Sequence, residues 1–358
     1  MDCDVLVIGA GPGGCAAAYH LRRAGWRVLL AERRRYPADK LCGEFLSAEG
    51  VGSLDRMGVA LTGFPRIGEV RVSSPSGSIW QASLPAAGLG ISRRRLDLLL
   101  VERCAAIGVE VAQGARISRV EGELGEGLRA EGRGIQVQAR LVVGAWGKQH
   151  EPRGKPSGWM ALKAHAQGQQ QGIELHAFPG GYAGLCQVEG GLVNLCLLTR
   201  VNAFCRAGRD CRRFSDEILC ANPLLASRLS KVNIDWDQAL TAANLHFGPS
   251  SCQRHGVLLA GDAAGSIAPL CGDGMAMALA AGELLAPLAD RFLREAIPAR
   301  VLEAEYARGW QKEFRLRLRL GNLLQQVLLH PNWARAAVTL LRSFPRLGRG
   351  VVRWTRGI

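Results

Sequence analysis

Four closely spaced glycines and a carboxylate downstream of them are the residues best placed to do chemistry. They lie in Val5-Leu6-Val7-Ile8, then Gly9-Ala10-Gly11-Pro12-Gly13-Gly14, then the run Cys15–Ala24, then Arg27-Val28-Leu29-Leu30-Ala31-Glu32. The apolar tetrad has the length and composition of a buried parallel strand, and the glycine turn opens directly into a helix. Gly11 leaves room for a pyrophosphate against the backbone, and Gly14 lets the helix pack closely on the strand. Free N–H groups at the helix start face the phosphates. Glu32 ends the second strand, where a carboxylate accepts hydrogen bonds from a ribose and repels a 2′-phosphate. Strand, glycine turn, helix, strand and carboxylate in that order predict a site for an adenine dinucleotide, FAD or NAD.

A second constellation, far along the chain, fits the same chemistry. Val257–Ala260 is a short apolar strand, and Asp262 follows its carboxyl end, where doubly wound sheets bind ligands. Gly272 and Gly274 then open a long alanine-rich helix, whose N-terminus stabilises negative charge.

The elements that must position these residues follow in order. Pro37 and Gly43 mark Arg33–Leu46 as a loop before a helix near Ser47–Met57. Glu69–Ser74 and Ser78–Leu84 alternate around Pro75-Ser76-Gly77 and read as a hairpin. Arg93-Arg94-Arg95-Leu96-Asp97 begins an amphipathic helix ending at Gly108, and Val109-Glu110-Val111 is a strand. Ile117–Val120 and Ile135–Val137 read as an antiparallel pair, and Leu141–Ala145 as a short buried strand at a domain edge. From Pro152 to about Ser251 the segments Trp159–Ala166, Gly172–Phe178, Tyr182–Val188 and Leu192–Thr199 form an antiparallel sheet, followed by helix around Phe214–Ser227.

The expected architecture is therefore α/β: a Rossmann-type, doubly wound nucleotide domain (residues 1–68, 88–150 and 252–290) with an inserted β-sheet substrate domain (69–87 and 151–251). A basic helical region (291–358) completes it. At 358 residues and 48% hydrophobic, the chain can bury such a core, and no uninterrupted apolar run is long enough to span a bilayer. The start of the chain enters the first strand without a basic or cleavable apolar segment, which predicts a cytoplasmic protein. Eleven cysteines without CxxC spacing suit reduced thiols better than a disulfide framework or a metal site.

Glu32 after the glycine turn, Arg93 with Leu96-Asp97, and Gly261-Asp262 with Gly272-Asp273-Gly274 together resemble the FAD-dependent p-hydroxybenzoate hydroxylase-fold superfamily. The loop Lys40-Leu41-Cys42-Gly43-Glu44 and the run Gly261-Asp262-Ala263-Ala264-Gly265 through Pro269 to Gly274 are most similar to its geranylgeranyl reductase branch. The resemblance implies FAD as cofactor. It places Gly9, Gly11, Gly13 and Gly14 at the pyrophosphate, Glu32 and Arg33 at the adenosine end, and Arg93 near the diphosphate and ribityl chain. Asp262 falls at a ribityl hydroxyl, Gly272, Gly274 and Met275 at the pyrimidine edge, and Cys42 with Gly43 beside the flavin ring. No catalytic acid or base is identified; possible acid–base groups of the inserted sheet include His165, His176, Tyr182 and Glu189, and an isolated His or Tyr on a sheet is more often structural than catalytic. The stretch Glu174–Tyr182 resembles the aromatic Phe-Pro turn of geranylgeranyl reductases at Phe178-Pro179, which implies that it lines the substrate pocket.

Two reactions follow from the resemblance. The superfamily as a whole favours a monooxygenase that hydroxylates or epoxidises an aromatic, polyketide or lipid-like substrate through a flavin C4a-hydroperoxide. The Cys42-Gly43 loop and the tail favour reduction of C=C bonds in an isoprenoid or lipid. A non-catalytic electron-transfer flavoprotein is a third alternative, which no cluster-ligand spacing supports. Ala145-Trp146-Gly147 stands where many NADPH-using hydroxylases carry Asp-Gly, so the external electron donor, whether NAD(P)H, a flavin reductase or a ferredoxin, is left open. The Trp-x-Trp-x-Ile-Pro signature of flavin halogenases is absent.

The net charge of +14 is concentrated at the end: Arg291–Ile358 holds fourteen Lys and Arg against four Glu. Arg308, Lys312, Arg315 and Arg319 recur at helical spacing with Phe314, Leu316, Leu318 and Leu320 between them. Arg342, Arg346, Arg349, Arg353 and Arg356 line a later stretch. This reads as helices packed on the nucleotide domain with solvated arginines, or as a peripheral contact with an anionic membrane at the inner face. Nucleic acid is not expected, because no recognition motif accompanies the charge.

Overall fold

Four buried valines, leucines and isoleucines of β1 (Cys3–Ile8) pair in parallel with β2 (Val28–Glu32), and α1 (Pro12–Arg23) crosses between them, as the opening residues dictate. The computed structural model describes residues 3–148 and 156–354. The nucleotide sheet continues on one side to β6 (Glu110–Gln113). On the other side it continues through β9 (Ile135–Gly144) to β18 (Val257–Leu259) and β17 (Gln253–Arg254). Leu141–Gly144 thus lies in the middle of the sheet, between β1 and β18, as the second half of one long strand. Its first half pairs not with β7 (Ile117–Glu123) but with β8 (Gly127–Gly132), which lies between them. The sequence Gly-Leu-Arg-Ala-Glu-Gly hides β8, because glycines bound it and only Leu128 and Ala130 are buried.

The second sheet joins β4 (Arg66–Ser73), β5 (Ile79–Gly90) and the short β3 (Phe45–Leu46) to β10 (Trp159–Gln167), β11 (Ile173–Phe178), β12 (Gly181–Gln187) and β13 (Leu192–Arg200). Its pairings are antiparallel except β4 with β11, which is parallel and stitches the early hairpin to the insertion. One face is covered by α4 (Val201–Arg206), α5 (Cys211–Glu217) and α6 (Pro223–Leu229), with Phe178 packed edge-on against Phe214. Asn222 caps α6 and separates it from α5, dividing the expected single helix. The opposite face carries Lys163, His165 and Asn194 toward the Lys40–Glu44 loop, and Ala161, Ala177 and Leu198 toward the tail.

Two helices frame the cradle. α3 (Arg93–Ala106) is capped by Ser92, whose hydroxyl accepts from Arg95 N–H. α7 (Gly274–Leu293) crosses α1 so closely that a Cβ on Gly282 would stand 2.6 Å from Ala17 N. The tail forms α8 (Ala299–Leu329), α9 (Pro331–Ser343) and α10 (Pro345–Trp354). α8 buries Tyr306, Trp310, Phe314 and Leu318 on one side, and Tyr306 donates to Leu259 O at 2.7 Å. Val338 of α9 and Val352 of α10 pack with Trp80 and Ile67 against the second sheet. Arg356 lies outside the described residues.

Candidate flavin site

Packing closes the glycine turn around Gly9, Gly13 and Gly14 and leaves it open at Gly11. A Cβ on Gly14 would lie 1.9 Å from Gly9 O, and one on Gly13 would lie 3.0 Å from Ala278 O, so both glycines are fixed by packing. Gly11 is different: the only atom near a Cβ placed there is Arg93 Nη2, at 3.6 Å. The first turn of α1 has no side-chain cap, so its N–H groups point into this opening. Orphan amides, space for close approach and an adjacent guanidinium are the donor set a diphosphate needs.

Arg93 is held rigidly for that position. Its Nε and Nη2 donate to Asp97 at 2.9 and 2.8 Å, and its backbone N–H donates to Glu44. Burial works against its charge, but Asp97 outweighs burial and raises its pKa above the ordinary value. Lys40 bridges to Asp97 at 2.9 Å and donates to Tyr36 Oη, and the Tyr36 hydroxyl donates to Ala10 O at 2.7 Å. Burial, then Asp97 and Glu32, raise the pKa of that phenol, so it stays protonated. Glu32 accepts from Ala10 N–H and Arg34 N–H, which fixes its carboxylate at the end of β2, while Arg33 beside it is exposed.

At the other end, Asp262 follows β18 half-buried, and its carboxylate has no hydrogen-bond partner among the described residues. Gly261 and Asp262 share a narrow cavity with Gly274, Met277 and Ala278. Gly272 adopts a left-handed backbone (φ 65°) to turn the chain into α7, and Met275 is buried in the first turn. Asp273, between them, accepts from Ser47 Oγ at 2.9 Å and from Arg317 Nη1 at 3.2 Å.

The loop carrying Cys42 and Gly43 is tied to the inserted sheet by residues that the sequence did not single out as a group. Glu44 is fully buried with φ 57°. Its carboxylate accepts from Lys163 Nζ at 2.6 Å and meets His165 Nε2 at 2.6 Å. Lys163, also buried, donates to Lys40 O, and Asn194 Nδ2 donates to Cys42 O at 3.0 Å. Asn194 Oδ1 is buried with no partner among the described residues. Burial raises the pKa of Cys196 to about 12 and also pushes that of Cys186 up, so both stay thiols.

The sequence profile of the FAD binding domain family matches residues 2–155, which contain the cradle, the Lys40–Glu44 loop and Arg93. The chain is 28% identical over 350 residues to digeranylgeranylglycerophospholipid reductase 2 of Methanopyrus kandleri, covering 88% of this chain and 83% of that protein. It is likewise 28% identical over 355 residues to the menaquinone reductase of Mycobacterium tuberculosis, covering 89% and 84%. This chain carries an FAD binding domain and is an FAD-dependent oxidoreductase. Among solved structures, this flavoprotein superposes on the flavin-dependent brominase Bmp2 with a TM-score of 0.82 over 99% of its length and 93% of that chain. At 18% identity this shows the fold alone.

The remaining titratable groups of the flavoprotein's inserted sheet have structural partners. His176 is buried between Glu174 and Ser73 on the α6 side of the sheet. Tyr182 donates to Gln325 and accepts from Leu270 N–H. Glu189 accepts from the backbone and hydroxyl of Ser92, ahead of α3. Phe178, expected in the substrate pocket, is instead buried in the core under α4–α6, because its register on β11 turns it to that face. His165 alone of the four is both partly open and bonded to a buried carboxylate.

Proposed function

We propose that this flavoprotein reduces C=C bonds in an isoprenoid or similarly apolar lipid. The span of the reductase likeness carries the reading, because it covers more than four-fifths of the relatives' length and so includes the inserted sheet as well as the nucleotide domain. FAD, when bound, supplies the hydride. On this reading the amides of the α1 turn and Arg93 hold the diphosphate, Glu32 and Arg33 the adenosine end, and Asp262 a ribityl hydroxyl. Gly272, Gly274 and Met275 face the pyrimidine edge, and Cys42 and Gly43 lie beside the ring.

Saturating an alkene requires a proton as well as a hydride. His165 is the group suited to hold it, since Glu44 fixes its Nε2 while its other edge stays partly open. The Ala145-Trp146-Gly147 sequence supports an electron donor other than one docked at an Asp-Gly pair, and a lipid-borne substrate favours work at a membrane surface.

The test is anaerobic. FAD-loaded protein reduced with dithionite is mixed with a menaquinone or a digeranylgeranylglycerophospholipid, and the lipid is analysed by mass spectrometry. A product with two more hydrogens, formed as the flavin reoxidises without O₂, is expected. No anaerobic turnover, with an oxygen atom incorporated once O₂ is admitted, would establish the monooxygenase instead.

A further inference from the structure

Six of the seven large apolar side chains that stand exposed among the described residues lie along the last three helices and the junction of α9 with α10: Leu316, Leu323, Trp333, Leu340, Phe344 and Leu347. They are ordered rather than scattered. On α8, Lys312, Leu316, Arg319 and Leu323 fall at i, i+4, i+7 and i+11, one exposed stripe opposite the buried Phe314 and Leu318. On α9 and at its C-cap, Trp333, Leu340 and Phe344 fall at i, i+7 and i+11, while Ala334 and Val338 face inward. The charge of the same segment has one sign. From residue 314 to the end there are nine arginines and no Asp or Glu. Of these arginines only Arg317 is buried against carboxylates; Arg315, Arg319, Arg335, Arg342 and Arg346 are exposed, with no carboxylate partner among the described residues.

We propose that the outer face of α8–α10 is a docking surface for an anionic lipid bilayer, with Trp333, Leu340 and Phe344 inserted among the acyl chains and the flanking arginines on the headgroups. The apolar side chains require an apolar partner and the unpaired guanidinium groups an anionic one, and a bilayer interface offers both in one plane. Nucleic acid would satisfy the arginines and leave the leucines and phenylalanine in water. The apolar residues are spread along successive helices rather than gathered in a cleft, which matches a flat surface better than a folded partner. No described helix is long and apolar enough to cross a membrane, so the helices lie on it. The surface is argued from the tail's own residues and does not rest on the reductase reading.

The FAD-loaded full chain is sedimented with vesicles of phosphatidylcholine alone and of phosphatidylcholine mixed with phosphatidylglycerol. Binding to the mixed vesicles only, weakened by salt, is expected. Leu340→Ser with Phe344→Ser should weaken it at least about tenfold by removing inserted apolar area. Arg342→Glu with Arg346→Glu should abolish it. All four residues are exposed, so flavin content and melting temperature should match the wild type; brominated lipid should quench a fluorescence component that Trp333→Phe removes. Failure of the wild type to bind mixed vesicles overturns the proposal, including where an acidic protein binds the tail instead. Equal binding to both vesicle types, or binding indifferent to the apolar substitutions, also overturns it. Vesicle binding without lipid reduction would leave the surface standing and count against the reductase reading alone.

Discussion

Gly11 and Asp262 are positions at which the cofactor contacts proposed above can be tested apart from the fold. A Cβ on Gly11 meets no backbone and its φ of −83° suits any residue, so Gly11→Ala should fold with stability within about 1 kcal/mol of the wild type. The methyl group would nevertheless stand where the diphosphate must approach. FAD affinity, measured by flavin fluorescence on titrating apoprotein, should fall at least about tenfold, or 1.4 kcal/mol. Unchanged affinity would place the diphosphate elsewhere. Asp262→Ala removes a carboxylate with no described protein partner, so only a ligand can miss it. Leaving a ribityl hydroxyl unpaired costs about 1–3 kcal/mol, so the purified variant should carry little flavin by its absorbance ratio. A full complement of flavin would undo the ribityl assignment.

At the scale of elements, what was legible depended on whether local pattern or long-range pairing decided the outcome. The turn from β1 to α1, the caps of α3 and the strands β10–β13 are written in local periodicity. The neighbour of each strand is not, which is why β8 and the parallel join of β4 to β11 were missed. Lys163 and His165 carried a readable signal: two positions apart in an otherwise apolar strand, they must share a face. Their partner Glu44 did not, because nothing local announces a buried carboxylate at φ 57°.

The same join hides a buried network that makes stability depend on pH. Glu174 on β11 meets His176, Arg228 of α6 and Arg71 of β4. Burial works to raise its pKa, but hydrogen bonds from His176 and Arg228 bring it down to about 2, below the unfolded carboxyl value of 4.5. A depressed folded pKa stabilises the fold above the unfolded value, and that contribution disappears as pH falls toward 2, on the order of 3 kcal/mol in all. Wild type should therefore melt well above Glu174→Gln near neutral pH, with the gap narrowing as pH drops from about 4.5 toward 2. A gap of constant size would show that the carboxylate's charge is not what joins α6 to the sheet.

Across the whole molecule, α8 ties the nucleotide sheet to the inserted sheet, and it also reaches the turn into α7. Tyr306 bonds Leu259 at the end of β18, and Gln325 accepts from Tyr182, whose hydroxyl holds Leu270 N–H. Between them Arg317 collects Glu49 of the helix α2 (Ala48–Arg56) at 2.8 Å, Asp273 at 3.2 Å and Glu313 of its own helix. Burial works against this guanidinium, but Glu49 and Asp273 prevail and raise its pKa. Arg317→Met keeps much of the side chain's volume and removes the cation, leaving two carboxylates close together beside the flavin turn. Breaking such a pair costs about 3–5 kcal/mol. The variant should therefore retain less flavin than the wild type, read as the flavin-to-protein absorbance ratio after gel filtration. Protease cleavage within α8–α10 should quicken in parallel, because the same bonds hold the tail. Loss of flavin with an undisturbed tail would confine Arg317 to the cofactor turn, whereas parallel loss of both would mean that the helices proposed to rest on the bilayer also brace the cofactor site.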